Sequence, residues 1–417
     1  MDLKFLRENP DEARRVLELR KSKAEIETIL NLDKRRRALV QERDGLRHQQ
    51  KGISETVARA KKGEREETAE LLTRARELSD KIKALELELN RIEDEEERFV
   101  KLLPNRVHPS VTGEEEVVFN WGNLPVFDFE PLAHWDLAEA LGIVDFEAAT
   151  RLACSRFVLF KGRGALLERA LINFFLDTAI RKYGYTEIAP PVLANPSTLK
   201  AAGQLPNLET EMYCLKDDGL YLIPTAEPQL VAYYREKTLD EAQLPLKLVA
   251  YTPCFRREAG SYGRDVRGMI RIHQFDKVEL VRLTTPESSY TALEEMRTEA
   301  ESLLQALKLP YRVKRLAAWD IAFQSAKTYD LEVWAAGVGR WLEVSSISNC
   351  EEFQTRRAKI RVKGTDGKTF YPHALNGSAL ALPRTFIAII ENYQQKDGSV
   401  VIPEVLRPYM NGQERIE

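Results

Sequence analysis

Hydrophobic positions recur every seven residues in two stretches near the amino end of the chain: Leu32, Leu39, Leu46 and Ile53, then Leu71, Leu78, Leu85, Ile92 and Phe99, with Ile82 and Leu89 at the intermediate seam positions. That spacing predicts two long helices, each with a narrow apolar seam. Lys61-Lys62-Gly63-Glu64 between them reads as a turn. A short connection joins antiparallel neighbours, so the pair is expected to fold back as an antiparallel coiled-coil arm. Ahead of it, Asn9-Pro10 supplies a cap and a first-turn proline for a short helix over residues 11–20. Leu102-Leu103-Pro104-Asn105 and the acidic Gly113-Glu114-Glu115-Glu116 end the helical region, which places a domain boundary between residues 1–105 and 106–417.

Beyond that boundary the patterning changes. Val249-Ala250-Tyr251 and Cys254-Phe255 end one strand, residues 269–275 alternate into a second, and Gly260, Gly263 and Gly268 mark the turn between them. Residues 341–349 alternate like another strand, and residues 376–384 lead into an apolar helix over 385–393. Residues 166–182 have helical spacing and run into Tyr183-Gly184-Tyr185-Thr186-Glu187-Ile188-Ala189-Pro190-Pro191-Val192, a strand broken by proline.

Composition narrows the class. With 417 residues, 43% hydrophobic and 30% charged, the chain is long enough for two or three domains and a sizeable core, and it reads as globular rather than disordered. The 62 basic side chains balance 65 acidic ones, so no global field draws the protein to nucleic acid and any such contact must be a local basic face. Cys154, Cys214, Cys254 and Cys350 form no C-x-x-C pair, which fits a reducing compartment and argues against a disulfide framework or a cysteine zinc site. The amino terminus is charged from its second residue and no apolar run approaches the roughly 20 residues of a membrane span. A cytoplasmic protein is expected.

The candidate chemistry lies in the hairpin. Arg256, Glu258, Arg271 and Glu279 sit beside apolar positions, so each must be paired with a neighbour or offered to a ligand. With Arg256, Glu258 and the Arg271-to-Phe275 spacing in view, the stretch resembles the second signature motif of class II aminoacyl-tRNA synthetases, and its wording is most similar to that of seryl-tRNA synthetases. The resemblance implies an α+β protein: an N-terminal coiled-coil arm followed by a catalytic domain on a mainly antiparallel sheet flanked by helices. It implies that Arg256 grips the α-phosphate of ATP, Phe275 stacks on adenine, Glu258 lies near the adenine amino group, and Arg271 near the terminal phosphates.

The other motifs follow in order. The helix and proline-broken strand ending at Pro191 resemble the first class II motif, which implies a homodimer. Leu222-Ile223-Pro224-Thr225-Ala226-Glu227 reads by itself as a capping Thr with a helix-start Glu; the resemblance places Thr225, Ala226 and Glu227 in the serine pocket. Glu343 by itself is a surface residue of a strand, but ATP chemistry needs hard oxygen ligands for Mg²⁺, and the resemblance assigns the metal to Glu343 and Ser346 within the ATP-binding run Glu343-Val344-Ser345-Ser346. In the third motif it implies that Asn376 and Ser378 recognise serine and that Arg384 binds the γ-phosphate and flanks adenine. Glu279 falls beside the serine hydroxyl, so Arg256, Glu279 and Arg384 are the expected catalytic groups.

The first long helix is basic at Arg35, Arg36, Arg37, Arg43, Arg47, Lys51 and Arg59, with Lys61 and Lys62 at the tip, whereas residues 86–97 are acidic. Charge runs of this kind are either a solvated coiled-coil face or an RNA-tracking surface. The resemblance favours the second, since seryl-tRNA synthetases hold the long variable arm of tRNA(Ser), and often of the selenocysteine tRNA(Sec), with such a hairpin. The expected function is ATP-dependent serine–tRNA ligation. The alternatives are a paralogue that loads a carrier protein, a silent RNA-binding module, and a coiled-coil scaffold. Departures from the family wording occur at Trp319-Asp320-Ile321-Ala322 and at Ala379, Ala381 and Leu382-Pro383, and bear on pocket shape.

Overall fold

Two short helices, α1 (Leu3–Glu8) and α2 (Pro10–Leu19), precede the long α3 (Ile26–Arg59) and α4 (Arg65–Lys101). The computed structural model describes residues 1–59, 65–259 and 267–417, the side chains of 65–67 excepted. The expected turn at Lys61-Lys62-Gly63-Glu64, and Gly260 and Gly263, lie outside the described residues. The chain divides into two compact units, Met1–Arg106 and Val107–Glu417.

In the first unit Leu78, Ile82, Leu89 and Ile92 of α4 are buried against α3, as a heptad seam requires. At the base of the hairpin Leu6, Ala13, Leu17, Ile26, Ile29 and Leu103 form an apolar cluster. Beside it Asp33, 1% exposed at its side chain, is held by Arg36 and Arg37, and Arg36 also reaches Glu96 at 3.0 Å. Part of the basic face is therefore spent within the hairpin. Arg35 pairs with Glu88 and Arg47 with Glu86, each at 2.5 Å, while Lys51 and Arg59 show no ion pair among the described residues.

The second unit is built on an eight-stranded sheet. Its strands in chain order are β1 (Glu116–Trp121), β2 (Thr186–Glu187), β3 (Leu246–Phe255), β4 (Gln274–Thr284), β5 (Tyr311–Arg315), β6 (Lys327–Ala335), β7 (Arg340–Asn349) and β8 (His373–Ala381). Across the sheet they run β1-β5-β6-β7-β8-β4-β3-β2, antiparallel except for the parallel β2–β3 pair. Helices α5 (His134–Ala140), α6 (Arg163–Asp177), α7 (Glu227–Ala232), α8 (Ser289–Ala306) and α9 (Leu382–Asn392) pack around it. Leu167, Leu171 and Phe175 of α6, Leu293 and Met296 of α8 and Phe386 and Ile390 of α9 join Val278, Leu280, Val333, Val344 and Ile347 of the sheet in the main core. Period-two alternation sorts β4: Val278 and Leu280 enter that core, while Phe275, Lys277 and Glu279 line a cavity.

The sequence expectation fails at one limb of the hairpin. The second strand starts at Gln274, not at Met269. Only the His273 carbonyl still meets the other limb, accepting from the Arg256 N–H at 2.9 Å; the Met269 N–H goes to His134 and the His273 N–H to the Arg156 carbonyl. Alternating apolar residues are equally compatible with a loop whose Met269, Ile270 and Ile272 are buried. Among the described residues no helix is long and apolar enough to cross a membrane.

Candidate active site

The cavity, about 490 Å³, lies over the adjacent central strands β4, β8 and β7. Sheet register brings its floor together: Ser378 stands opposite Glu279, and Asn376 opposite Ser348. Thr225, Glu227, Arg256 and Arg384 line the cavity as well. Of the expected site residues, Thr225, Glu227, Arg256, Glu258, Arg271, Phe275, Glu279, Glu343, Val344, Ser345, Ser346, Asn376, Ser378 and Arg384 all line this one space.

Two adjustments concern β7 and the start of α7. Glu343 and Ser346 are three apart and would face opposite sides of a regular strand. Between β6 and β7 the register skips, with Leu331 opposite Ser345 and Glu332 opposite Glu343. The extra residue, Val344, is a bulge that brings Glu343 and Ser346 to the same face. The same bulge turns Val344 into the core and buries Ser345, whose Oγ donates to the Ser378 carbonyl at 2.6 Å. Both side chains are buried, yet both residues still line the cavity. Ala226 is likewise fully buried in a second apolar cluster and does not line the cavity, because the N-terminus of α7 turns its methyl inward.

The outer half of the cavity is cationic. The Arg256 guanidinium lies 5.0 Å from the centre of the Phe275 ring, and its Nε donates to the Pro224 carbonyl at 3.4 Å. Among the described residues no carboxylate pairs with it. Arg271 donates to Glu258 at 3.0 Å. Arg384, in the first turn of α9, donates to the Ile270 carbonyl at 3.3 Å and to the Glu343 carbonyl at 2.7 Å, with the Glu343 carboxylate 3.5 Å away. Glu343 keeps its carboxylate half exposed at the cavity wall.

The inner half is a buried polar nest. Glu227 Oε1 accepts from Gln354 at 2.5 Å, Asn376 at 3.2 Å and Gln324 at 3.3 Å. Thr225 Oγ1 accepts from the Glu227 N–H at 3.3 Å, a turn bond and not the expected cap, because Ala226 holds the N-cap position and no side chain caps the helix. Burial, reinforced by the nearby Glu279 charge, pushes the Glu227 carboxyl up to about 7, against the opposing pull of Gln354, Lys277 and Gln324. Glu279 is paired with Lys277. Sequence reasoning missed Lys277, Gln324 and Gln354. Lys277 was within reach of it, because it sits two residues before Glu279 on the same alternating face. Nothing local marks the two glutamines.

Residues 213–393 match the family described as tRNA synthetase class II core domain (G, H, P, S and T), and residues 1–107 match the seryl-tRNA synthetase N-terminal domain. The serine–tRNA ligase of Caldanaerobacter subterraneus subsp. tengcongensis is 51% identical over 416 residues, and that of Thermodesulfovibrio yellowstonii 48% over 418, each alignment covering 98% of both chains. Among solved structures, the seryl-tRNA synthetase from Pyrococcus horikoshii complexed with ATP superposes with a TM-score of 0.95 at 36% identity, covering 100% of this chain and 99% of the other.

Proposed function

This chain belongs to the seryl-tRNA synthetase family, and we propose that it activates L-serine with ATP to seryl-adenylate, releasing pyrophosphate, and then loads the seryl group on tRNA(Ser). It is an ATP-dependent aminoacyl-tRNA synthetase. The observation that carries the detailed reading is the division of one cavity into an arginine-rich half with an aromatic face and a small buried nest of carboxylates and amides. A nucleotide polyphosphate fits the first and a small zwitterion the second.

The serine carboxylate attacks the α-phosphorus in this scheme. Catalysis is positioning of two anions and neutralisation of their charge, with no covalent enzyme intermediate. Arg256, which no carboxylate pairs with among the described residues, carries its charge to the α-phosphate. Its guanidinium now occupies the Phe275 face that adenine would take, so nucleotide entry moves it aside. Arg384, held by the Ile270 and Glu343 carbonyls, faces the γ-phosphate and the other side of the base, with Arg271 toward the terminal phosphates and Glu258 toward the adenine amino group. Thr225, Glu227, Asn376 and Ser378 receive serine, and Glu279 lies beside its hydroxyl.

Mg²⁺ fits the donors present. Glu343 and Ser346 offer hard oxygens on one face, and among the described residues no three His, Cys, Asp or Glu side chains group to hold a metal alone, which suits an ion that takes one or two protein ligands and completes its shell with phosphate oxygens and water. Bound there, it would neutralise the phosphate charge as a Lewis acid. Behind Ser346, burial pushes Asp330 well above the usual carboxylate range, with Glu343 adding repulsion. The open edge strand β2 and Pro191 support a homodimer, and the hairpin supports tRNA(Ser) binding. A variable arm read by its backbone makes tRNA(Sec) a second acceptor.

The test is exchange of labelled pyrophosphate into ATP with serine, alanine, threonine and cysteine in parallel. Exchange with serine alone is expected, and none with any amino acid in folded protein would defeat the reading. The same assay probes Glu227. Its carboxyl must be ionised to meet the serine ammonium, and it gains a proton as pH falls through about 7. KM for serine is therefore expected to rise about tenfold per pH unit below that point, and Glu227→Gln to flatten the profile at a high KM. An unchanged profile in the variant would remove Glu227 from serine binding.

A further inference from the structure

We propose that His134 and Glu391 are positioning residues for the nucleotide: together they lock the 269–271 limb of the cavity to the helix that carries Arg384. The inference rests on the synthetase reading above.

The limb needs such a lock because it lacks a β-ladder. Met269, Ile270 and Arg271 line the cavity but precede β4, so their position depends on a few individual bonds. His134 supplies one. Its Nε2 accepts the Met269 N–H at 3.1 Å, so that nitrogen presents a lone pair and the proton sits on Nδ1. Nδ1 then donates to Glu391 Oε1 at 2.8 Å, and the His134 N–H donates to the same oxygen at 2.8 Å. Glu391 Oε2 accepts from the Gly337 and Val338 N–H groups at 2.8 and 3.0 Å. Both side chains are fully buried, and a buried carboxylate with four donors is held in one orientation.

Glu391 lies seven residues after Arg384 on α9, two turns along the same helix face. Arg384 Nε in turn donates to the Ile270 carbonyl at 3.3 Å. The contacts close a ring that runs from Arg384 to Ile270, through Met269 to His134, and through Glu391 back along α9. Two further observations place the limb against α5. Gly268 has φ +79°, and a Cβ there would stand 2.1 Å from His134 Nε2, so the approach is closer than any side chain allows. Arg267 reaches Asp136 at 2.5 Å and lies 5.0 Å over the Trp135 ring. The nucleotide therefore meets two walls, Arg384 and the limb, whose spacing is set through an imidazole that touches neither ATP nor serine.

Two substitutions separate the functions of the two ring nitrogens. In the full chain, His134→Asn keeps a donor at the Nδ1 position toward Glu391 and removes the acceptor for Met269, whereas His134→Gln places an acceptor near the Nε2 position and gives up the side-chain bond to Glu391. His134→Asn is expected to raise KM for ATP in the exchange assay about tenfold, roughly the worth of one buried hydrogen bond, with KM for serine within about twofold. His134→Gln is expected to restore KM for ATP to within about twofold of the parent while lowering Tm. Lowered Tm with unchanged KM for ATP in both variants would reduce the pair to a structural role and overturn the proposal. Should His134→Asn not fold, Gly268→Ala pushes the limb off the imidazole and is expected to give the same rise in KM for ATP; no rise would overturn the proposal. If the parent protein shows no serine-dependent exchange, the synthetase reading fails, and ATP affinity by titration calorimetry still decides the role of His134 by the same criteria.

Discussion

Arg256→Ala is expected to lower serine-dependent pyrophosphate exchange by about three to four orders of magnitude, comparable to loss of an arginine that stabilises a phosphoryl transition state in other enzymes. The guanidinium has a carbonyl acceptor and an aromatic face but no carboxylate partner among the described residues, so the folded protein holds a positive charge ready for an incoming anion. For the same reason truncation leaves no orphaned acid, and Tm should change little. Lysine should rescue poorly, because a point charge cannot reproduce a planar fork that also stacks on Phe275. Arg384→Ala should be comparably inactive but less stable, since it strips donors from the Ile270 and Glu343 carbonyls. Exchange by Arg256→Ala within about tenfold of the parent would take Arg256 out of the catalytic site.

Replacing residues 40–92 by a short Gly/Ser linker is expected to abolish tRNA charging, by about a thousandfold or more, while exchange stays within about twofold. The cut falls above the hairpin base, so the Arg36–Glu96 and Asp33 ion pairs and the apolar cluster around Leu6, Ile29 and Leu103 survive. It removes Arg43, Arg47, Lys51 and Arg59 together, and with them the basic surface available to RNA phosphates. The Arg47–Glu86 pair does not argue against that role, because an exposed ion pair contributes only about 0.2–1 kcal/mol and is readily exchanged for phosphate. Charging of tRNA should accordingly weaken steeply with salt in the parent protein. Charging retained after truncation would exclude the hairpin as the tRNA-binding element, and loss of exchange as well would show that the catalytic unit depends on it.

Both predictions draw on features that are local in sequence. Heptads at Leu71, Leu78 and Leu85 report a helix seam because every contact partner lies at helical spacing along the same two segments. Phe275, Lys277 and Glu279 share a face because a strand alternates by two. Arg384 follows a strand and opens a helix, and that junction is written in the run from Asn376 to Arg384. The motifs that mark the family are likewise short runs whose chemistry is carried by residue type.

What pairing between distant segments decides was not legible. Residues 269–273 alternate like a strand, yet apart from the His273 carbonyl, which accepts from the Arg256 N–H, their backbone hydrogen bonds go to His134, Arg156 and Arg384, and no local pattern names such partners. The bulge that brings Glu343 and Ser346 to one face, and buries Ser345, exists only in the register between β6 and β7. Gln354 meets Glu227 across 127 residues of chain and His134 meets Glu391 across 257. Sequence determined the elements, their faces and the reactive residue types, because periodicity and side-chain chemistry are properties of neighbours along the chain. Tertiary structure alone decided which buried polar atoms satisfy one another, because that depends on how separate elements close in space.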